Sequence, residues 1–159
     1  MDEEYRRYRM DVAARWLEHV RALGIRVRVL ESEIAELRAD AEGLGAMDYT
    51  RERVSKSASG DRMADIAARI FERLDDLVDE RREYEGERAR ARGCIDALEN
   101  PMHRDVLVMR FINGERWSAI ADALGVKLPT VYAWRRDALD ALYDVMPASE
   151  KDAIPRADA

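Results

Sequence analysis

Side chains that commonly carry catalysis or bind metals are few in this chain. Histidine occurs only at His19 and His103, and the single cysteine is Cys94. Zinc sites need several closely spaced His or Cys ligands, and covalent catalysis needs a nucleophile beside a base. Neither set can be assembled from these residues, and the sequence has no glycine-rich phosphate loop. We therefore predict that the protein is not an enzyme and binds no cofactor or metal.

The basic, polar and aromatic side chains between residues 116 and 136 are of the types that contact nucleic acid. Arginine and lysine contact backbone phosphates, arginine also forks onto guanine, and small apolar groups touch thymine methyls. We assign phosphate contacts to Arg116, Lys127 and Arg135. The side chains predicted to face base edges are Thr130, Tyr132, Ala133 and Arg136, with Leu128 at the start of that face. Alternatively, the side chains of Tyr132, Arg135 and Arg136 are ordinary solvated surface residues that do not contact DNA.

Residues 117–136 fit a helix-turn-helix pattern that would place these side chains on one helix. Ala121 is small where two helices cross, and Gly125 follows where the turn needs a positive φ. Pro129 suits the first turn of the second helix, predicted over 129–143. The apolar positions that bury both helices are Ile120, Leu124, Val126, Val131 and Trp134. Because the second helix of this motif enters the major groove of DNA, the pattern predicts DNA binding.

The signals around this motif predict a small domain over 100–146. Asn100 and Pro101 form a helix start, and Asn113-Gly114 an end, which predicts a short helix over 101–112. Asp137, Asp140 and Asp144 would repel phosphate, so we expect them to lie beyond the groove.

Two long amphipathic helices are predicted ahead of this domain. The first is predicted over 3–44, within an N-terminal coiled-coil segment 1–44. Its apolar residues recur in alternating steps of three and four residues. The second is predicted over 62–99. The seam of the first helix is Ala13, Trp16, Val20, Leu23, Val27, Leu30, Ile34, Leu37, Ala41 and Leu44. The seam of the second includes Met63, Ile66, Ile70, Leu74, Leu77, Tyr84, Ala91, Ile95 and Leu98. The two seams fit a helical hairpin, an intermolecular coiled coil, or both.

The remaining segments are predicted to lack regular structure. Residues 45–61 are serine-rich and read as a connector loop, with Asp61 capping the second long helix, and 147–159 read as a flexible tail. Gly24 lies beside the first seam and is expected to weaken it locally. The fold class predicted is all-α, with a long helical arm followed by a small helix-turn-helix domain.

The charge of the chain restricts how it could meet nucleic acid. The net charge is −6, which disfavours unspecific coating of DNA by the whole surface. Residues 101–146 carry six basic and six acidic side chains and are therefore neutral. No apolar run is long enough to cross a bilayer, the start Met1-Asp2-Glu3-Glu4 is unlike a signal peptide, and a lone cysteine allows no intrachain disulfide. A cytoplasmic location without membrane contact is expected.

The stretch 104–142 resembles region 4 of sigma-70-type factors, and more closely the phage regulators of the ArpU/RinA type. The resemblance is carried by residues 107–114, Trp117, Ile120-Ala121, Leu124-Gly125, Thr130-Val131-Tyr132 and Ala138-Leu139. Residues 59–65, which precede a long helix, also resemble the phage family. The resemblance implies a sequence-specific DNA-binding regulator of transcription encoded by a phage or prophage.

Double-stranded DNA is the partner predicted, with self-association through the helical arm and RNA polymerase as a further candidate partner. Two other functions remain open at this point. A small-terminase-like DNA-packaging subunit would also bind DNA but assemble into rings. A protein-interaction adaptor that has lost DNA binding would agree with the neutral charge of 101–146.

Overall fold

A computed structural model describes residues 1–47 and 56–152, which form helices and connecting turns without a β-strand. In chain order the α-helices are α1 (Glu3–Met47), α2 (Lys56–Asp96), α3 (Pro101–Leu107), α4 (Trp117–Leu124), α5 (Leu128–Val145) and α6 (Ala148–Asp152). The all-α prediction, with a long helical arm and a C-terminal helix-turn-helix domain, is confirmed. Within the described residues, no helix is both long and apolar enough to span a membrane.

The connector between the long helices differs from the predicted loop over 45–61. Helix α1 continues to Met47 and α2 begins at Lys56, so Asp61 lies inside a helix instead of capping one. Serine and glycine cost at most about 1 kcal/mol each in a helix, too little to stop a helix that gains one hydrogen bond per residue. Residues 48–55 lie outside the described residues.

Helix α2 ends at Asp96, before the predicted end at 99, because the chain tightens there. The amides of Ala97 and Leu98 donate to carbonyls three residues back, those of Cys94 and Ile95. Such bonds are typical of the closing turn of a helix. Cys94 itself is half-buried, and this burial raises the pKa of its thiol.

The described residues divide into two compact units, one formed by Leu23–Tyr84 and the other by Met1–Ala22 with Glu85 and the residues after it. In the Leu23–Tyr84 unit the two long helices pair within one chain. Arg73 Nε lies 3.0 Å from Glu33 Oε2, and Arg26 Nε lies 3.8 Å from Glu80 Oε1. Increasing numbers on α1 thus meet decreasing numbers on α2, which is the antiparallel, hairpin arrangement. The buried side chains of this unit are Val27, Leu30, Ile34 and Ile66.

Gly24 has a packing role that its sequence position did not predict. A Cβ atom placed on Gly24 would lie 3.0 Å from ring carbons of Tyr84. The missing side chain therefore makes room for an aromatic ring between the two helices, instead of simply weakening the seam.

The other unit combines both ends of the chain. Its buried apolar residues come from the first turns of α1, the end of α2 and the C-terminal helices: Val12, Ala13, Trp16, Leu17, Val20, Ala91, Ile95, Leu98, Val106, Leu107, Phe111, Ile112, Ile120, Ala121, Val131, Ala138, Leu139, Leu142 and Met146. This grouping differs from the predicted bounds, which placed 1–44 and 100–146 in separate domains, because the first turns of α1 bury their apolar side chains in this unit.

The start of α3 follows the predicted cap, but its end does not. The Asn100 side chain accepts a hydrogen bond from the Met102 amide at 2.9 Å, with Pro101 in the first turn. The predicted single helix over 101–112 instead changes at Val108 into a π-helical segment, Val108–Ile112, where the Asn113 amide bonds the Val108 carbonyl at 2.9 Å. A π-turn adds one residue to the turn and so re-aims the side chains that follow it.

The predicted flexible tail begins with a short helix. Met146 is extended before Pro147, which ends α5, and α6 follows over Ala148–Asp152. Arg90 of α2 reaches Glu150 of α6, Nη1 to Oε1, at 3.2 Å. This ion pair and the restart after proline give order to part of the segment; residues 153–159 lie outside the described residues.

Candidate nucleic-acid interface

Helices α4 and α5 pack through a small apolar cluster that sets their crossing. Its buried members are Val106, Ile120, Ala121 and Val131. Partly buried side chains pack around these four: Met109, Trp117, Leu124, Val126, Leu128 and Trp134. The predicted inward direction of Trp134 is therefore what the structure shows, and the opposite side of α5 is left for other contacts.

The turn between the two helices is built as the sequence predicts. Gly125 has a φ of 67°, in the left-handed region that a side chain disfavours. Its amide donates to the Asp122 carbonyl at 3.2 Å, and the Val126 amide donates to the Ala121 carbonyl at 3.0 Å. These bonds close the end of α4 and direct the chain into α5.

An exposed lysine directly precedes α5. Lys127 is extended, and its carbonyl accepts hydrogen bonds from the amides of Thr130 and Val131, at 3.0 and 3.3 Å. Its side chain makes no capping bond, and Pro129 occupies the first turn. The positive end of the helix macrodipole and the lysine charge therefore lie together, which suits a negatively charged partner.

The predicted outer face of α5 is mostly accessible. Tyr132 is 39% exposed and Arg136 is exposed, whereas Thr130 and Ala133 are half-buried. Arg116 is exposed just before α4. Leu128 is a correction, because it packs against the apolar cluster instead of pointing outward. It lies three residues before the buried Val131, and residues at that spacing share a helix face.

Trp117 at the start of α4 gathers the aromatic and basic side chains of this region. Its ring lies 5.8 Å from that of Tyr132 and 6.3 Å from that of Phe111, edge to face in both cases. The guanidinium carbons of Arg110 and Arg135 lie 4.9 and 5.6 Å from the centre of the same ring. The indole thus holds two cations beside the outer face of α5.

Comparison with known protein families finds one similarity in this part of the chain. Residues 106–143 match the model of the homeodomain-like domain. The match extends from the end of α3 to the end of α5 and includes all the predicted site residues, Arg116 to Arg136. It supports a helix-turn-helix DNA-binding regulator. No curated protein and no solved structure matches the chain.

The acidic residues in the second half of α5 are paired with the start of α1. Arg6 lies 2.8 Å from Asp137 and 3.2 Å from Asp140, while Arg9 lies 2.9 Å from Asp140 and 2.8 Å from Asp144. Burial alone would lower the pKa of Arg9, but its hydrogen bond to Asp144 and the charges of Asp140 and Asp144 raise it overall. The three carboxylates, which the sequence suggests would repel phosphate, are thus countered by two arginines.

Sequence reasoning missed Arg6 and Arg9 as partners of α5, and it missed the contact between Arg110 and the Trp117 ring. Arg6 and Arg9 lie more than 130 positions before their partners, and no local pattern connects such distant residues. Arg110 belongs to the π-helical segment, where the spacing of an ordinary helix no longer predicts side-chain direction. Among residues 1–47 and 56–152, no group of three or more His, Cys, Asp or Glu could hold a metal ion.

Proposed function

We propose that this protein is a sequence-specific DNA-binding regulator of transcription that reads the major groove with α5. The observation that carries the proposal is the outer face of α5, with Tyr132 and Arg136 exposed on a homeodomain-like frame. In such frames the second helix of the motif lies in the major groove with its N-terminal residues nearest the bases.

Two groups of side chains divide the work in this proposal. Arg136 would fork onto a guanine, and the methyl groups of Thr130 and Ala133 would contact thymine. Tyr132 would cover the bases between them. Arg116, Lys127 and Arg135 would bind phosphates, which orient the helix but carry little sequence information. Leu128 is left out because it packs inward.

The decisive experiment is selection of bound DNA from a random pool, followed by titration of the winning site against salt. A defined site should emerge, and its affinity should fall steeply as salt rises, because phosphate contacts release counterions. A pool that stays random would contradict sequence-specific recognition. No binding at low salt, together with capture of a protein partner, would instead favour the adaptor function.

The finer proposal, a phage regulator of the ArpU/RinA type with a domain like region 4 of sigma-70 factors, rests on the residue pattern over 104–142. Transcription in vitro from a promoter that carries the selected site tests it. Added protein should change transcript yield, and the sign of the change distinguishes an activator from a repressor. An unchanged yield at saturating protein would contradict a regulatory role. Co-sedimentation with RNA polymerase would test that candidate partner.

Self-association through the helical arm is also part of the proposal. Phe71 and Val78 of α2 are 70% and 56% exposed and lie seven residues apart, on one side of the helix. Ile25 and Val29 of α1 are exposed one helical turn apart. Large apolar side chains in water at helical spacing favour contact with a second copy, and paired subunits suit DNA sites with two halves.

A further inference from the structure

The side of α5 that carries Arg136 continues into an acidic segment. Tyr132, Arg136 and Asp140 follow one another at steps of four residues, which places their side chains along one helix face. Tyr132 and Arg136 are exposed, and the Asp140 side chain is 19% exposed. An arginine and an aspartate four residues apart on a helix attract each other, and such pairs stabilise helices. Asp140 is therefore an internal competitor for the guanidinium group that is proposed to bind a base.

The start of α1 occupies this competitor. Arg6 Nε lies 3.2 Å from Asp140 Oδ2, and Arg9 Nε lies 2.9 Å from Asp140 Oδ1. Arg9 Nη2 also donates to the Asp140 carbonyl at 2.8 Å, which ties α1 to this point of α5. Within residues 1–47 and 56–152, the ion pairs of Asp140 are with these two arginines and not with Arg136. Both carboxylate oxygens of Asp140 thus face α1.

The charge balance at this contact is narrow. Arg6 is shared with Asp137, at 2.8 Å, and Arg9 is shared with Asp144, also at 2.8 Å. Two guanidinium groups thus serve three carboxylates, so loss of either one leaves excess negative charge close to Arg136. The Arg6 side chain is 44% exposed, whereas that of Arg9 is 10% exposed. Arg6 can therefore be replaced without opening the core.

We propose that Arg6 and Arg9 are positioning residues for DNA recognition: by holding Asp140, they keep Arg136 available to a base. The inference rests on the proposed function and deepens it, because it makes the start of α1 a determinant of sequence specificity without a base contact of its own. A direct contact of Arg6 with a backbone phosphate would instead affect all sequences alike. The test separates the two.

The test measures discrimination, which is the ratio of affinity for the selected DNA site to affinity for the single-base variant at which Arg136→Ala loses its preference. Effects shared by all sequences cancel in this ratio. Arg6→Gln should lower the ratio about two-fold, the strength of an ion pair between residues four apart on a helix, and at that base pair alone. Arg7→Gln removes the adjacent exposed arginine of α1 and should leave the ratio unchanged.

Two double variants show whether Arg6 acts through Asp140 and Arg136. Arg6→Gln combined with Asp140→Asn should recover the wild-type ratio because the competing charge is gone, whereas a merely structural loss would deepen. Arg6→Gln added to Arg136→Ala should change the ratio no further. Thermal unfolding verifies that each variant is folded, and the Arg136→Ala background decides the matter if Asp140→Asn does not fold.

Several outcomes would overturn the positioning role while leaving the proposed function intact. They are an unchanged ratio for Arg6→Gln, a loss spread over several base pairs, no recovery by a folded Asp140→Asn variant, and no lost preference in Arg136→Ala. Uniform weakening by Arg6→Gln at an unchanged ratio would assign Arg6 to a backbone phosphate. A pool that stays random in the selection would overturn sequence-specific recognition itself, and this inference with it.

Discussion

Arg136 and Lys127 separate the two kinds of contact expected on α5. Both are exposed, but Arg136 lies on the outer face and Lys127 lies ahead of the first turn. Arg136→Ala should weaken the free energy of DNA binding by about 1–3 kcal/mol and relax specificity at one base pair, because the forked contact with that base is lost. Lys127→Ala should weaken binding to all DNA sequences alike and lower the dependence of log affinity on log salt by about 1.

The measurement is binding to the selected site and to single-base variants of it. Arg92→Ala is the matched control, because Arg92 is an exposed arginine of α2. Its side chain pairs with Asp96. If Arg136→Ala loses affinity equally for every sequence, Arg136 contacts phosphate and the assigned reading face is wrong.

Arg9 differs from most charged residues of the chain because it is only 8% exposed. It pairs with Asp140 and Asp144 and also donates to the Asp140 carbonyl at 2.8 Å. Arg9→Gln should lower the free energy of unfolding by about 2 kcal/mol, since the half-buried Asp140 carboxylate loses one of its two arginines and the Asp140 carbonyl loses its side-chain donor. Urea unfolding measures this as a lower midpoint with an unchanged slope.

Arg6→Gln is the control for Arg9. Its side chain is 44% exposed, and water screens its contacts with Asp137 and Asp140. Arg6→Gln is therefore expected to lower the free energy of unfolding by less than about 1 kcal/mol. Equal losses for the two variants would show that burial does not strengthen the Arg9 contacts.

At the scale of elements, the contact between Gly24 and Tyr84 makes a comparison of glycines informative. Nothing lies within 4 Å of a Cβ placed on Gly86, so Gly86→Ala should stabilise α2 by about 0.5–1 kcal/mol. Gly24→Ala gains the same helix preference but presses on the Tyr84 ring, and a net loss of about 1 kcal/mol is expected. Thermal unfolding of both variants decides the matter. Stabilisation by Gly24→Ala would mean that the Tyr84 ring moves aside at little cost in free energy.

The helix-turn-helix could be predicted from sequence because its constraints are local. The left-handed turn at Gly125 and the close crossing at Ala121 each require a particular residue type. The early start of α2 could not be predicted, because serine and glycine oppose a helix only weakly. The π-helical segment has no composition of its own, so the directions of Arg110 and Phe111 became clear only from the structure.

The candidate site was partly predictable for the same reason. Thr130, Tyr132 and Arg136 follow from the helical period once Val131 is known to be buried. Leu128 was predicted at the start of the same face, but it lies three residues before the buried Val131 and packs against the apolar cluster. The ion pairs of Arg6 and Arg9 join residues distant in sequence, and only the folded chain brings them together.

At the scale of the whole molecule, the exposed apolar residues of the arm predict self-association. Phe71→Glu should shift the protein toward monomer by placing a charge where Phe71 is now 70% exposed. Sedimentation over a range of concentrations measures the shift, and Glu72→Gln, at a neighbouring exposed position, is the control. A wild-type monomer at all concentrations would contradict self-association, and a large ring would favour the packaging function.

The grouping of both chain ends in one unit predicts that the homeodomain-like domain depends on α1. Trp16, Leu17 and Val20 are each at most 2% exposed in that unit. Deleting residues 1–22 should therefore lower the thermal stability of α3 to α5 and expose apolar surface, measured as increased dye binding. Unchanged stability of the shortened chain would show that α3 to α5 do not depend on residues 1–22.

The same grouping has a consequence for the order of events during synthesis. The first 22 residues leave the ribosome well before residues 85–152 exist, a delay of several seconds or more at ordinary rates of translation. Residues Leu23–Tyr84 contact one another and are complete earlier. The newborn chain must therefore keep Trp16 and its apolar neighbours from other partners until the last helices arrive, which makes this interval the time when chaperones would be needed most.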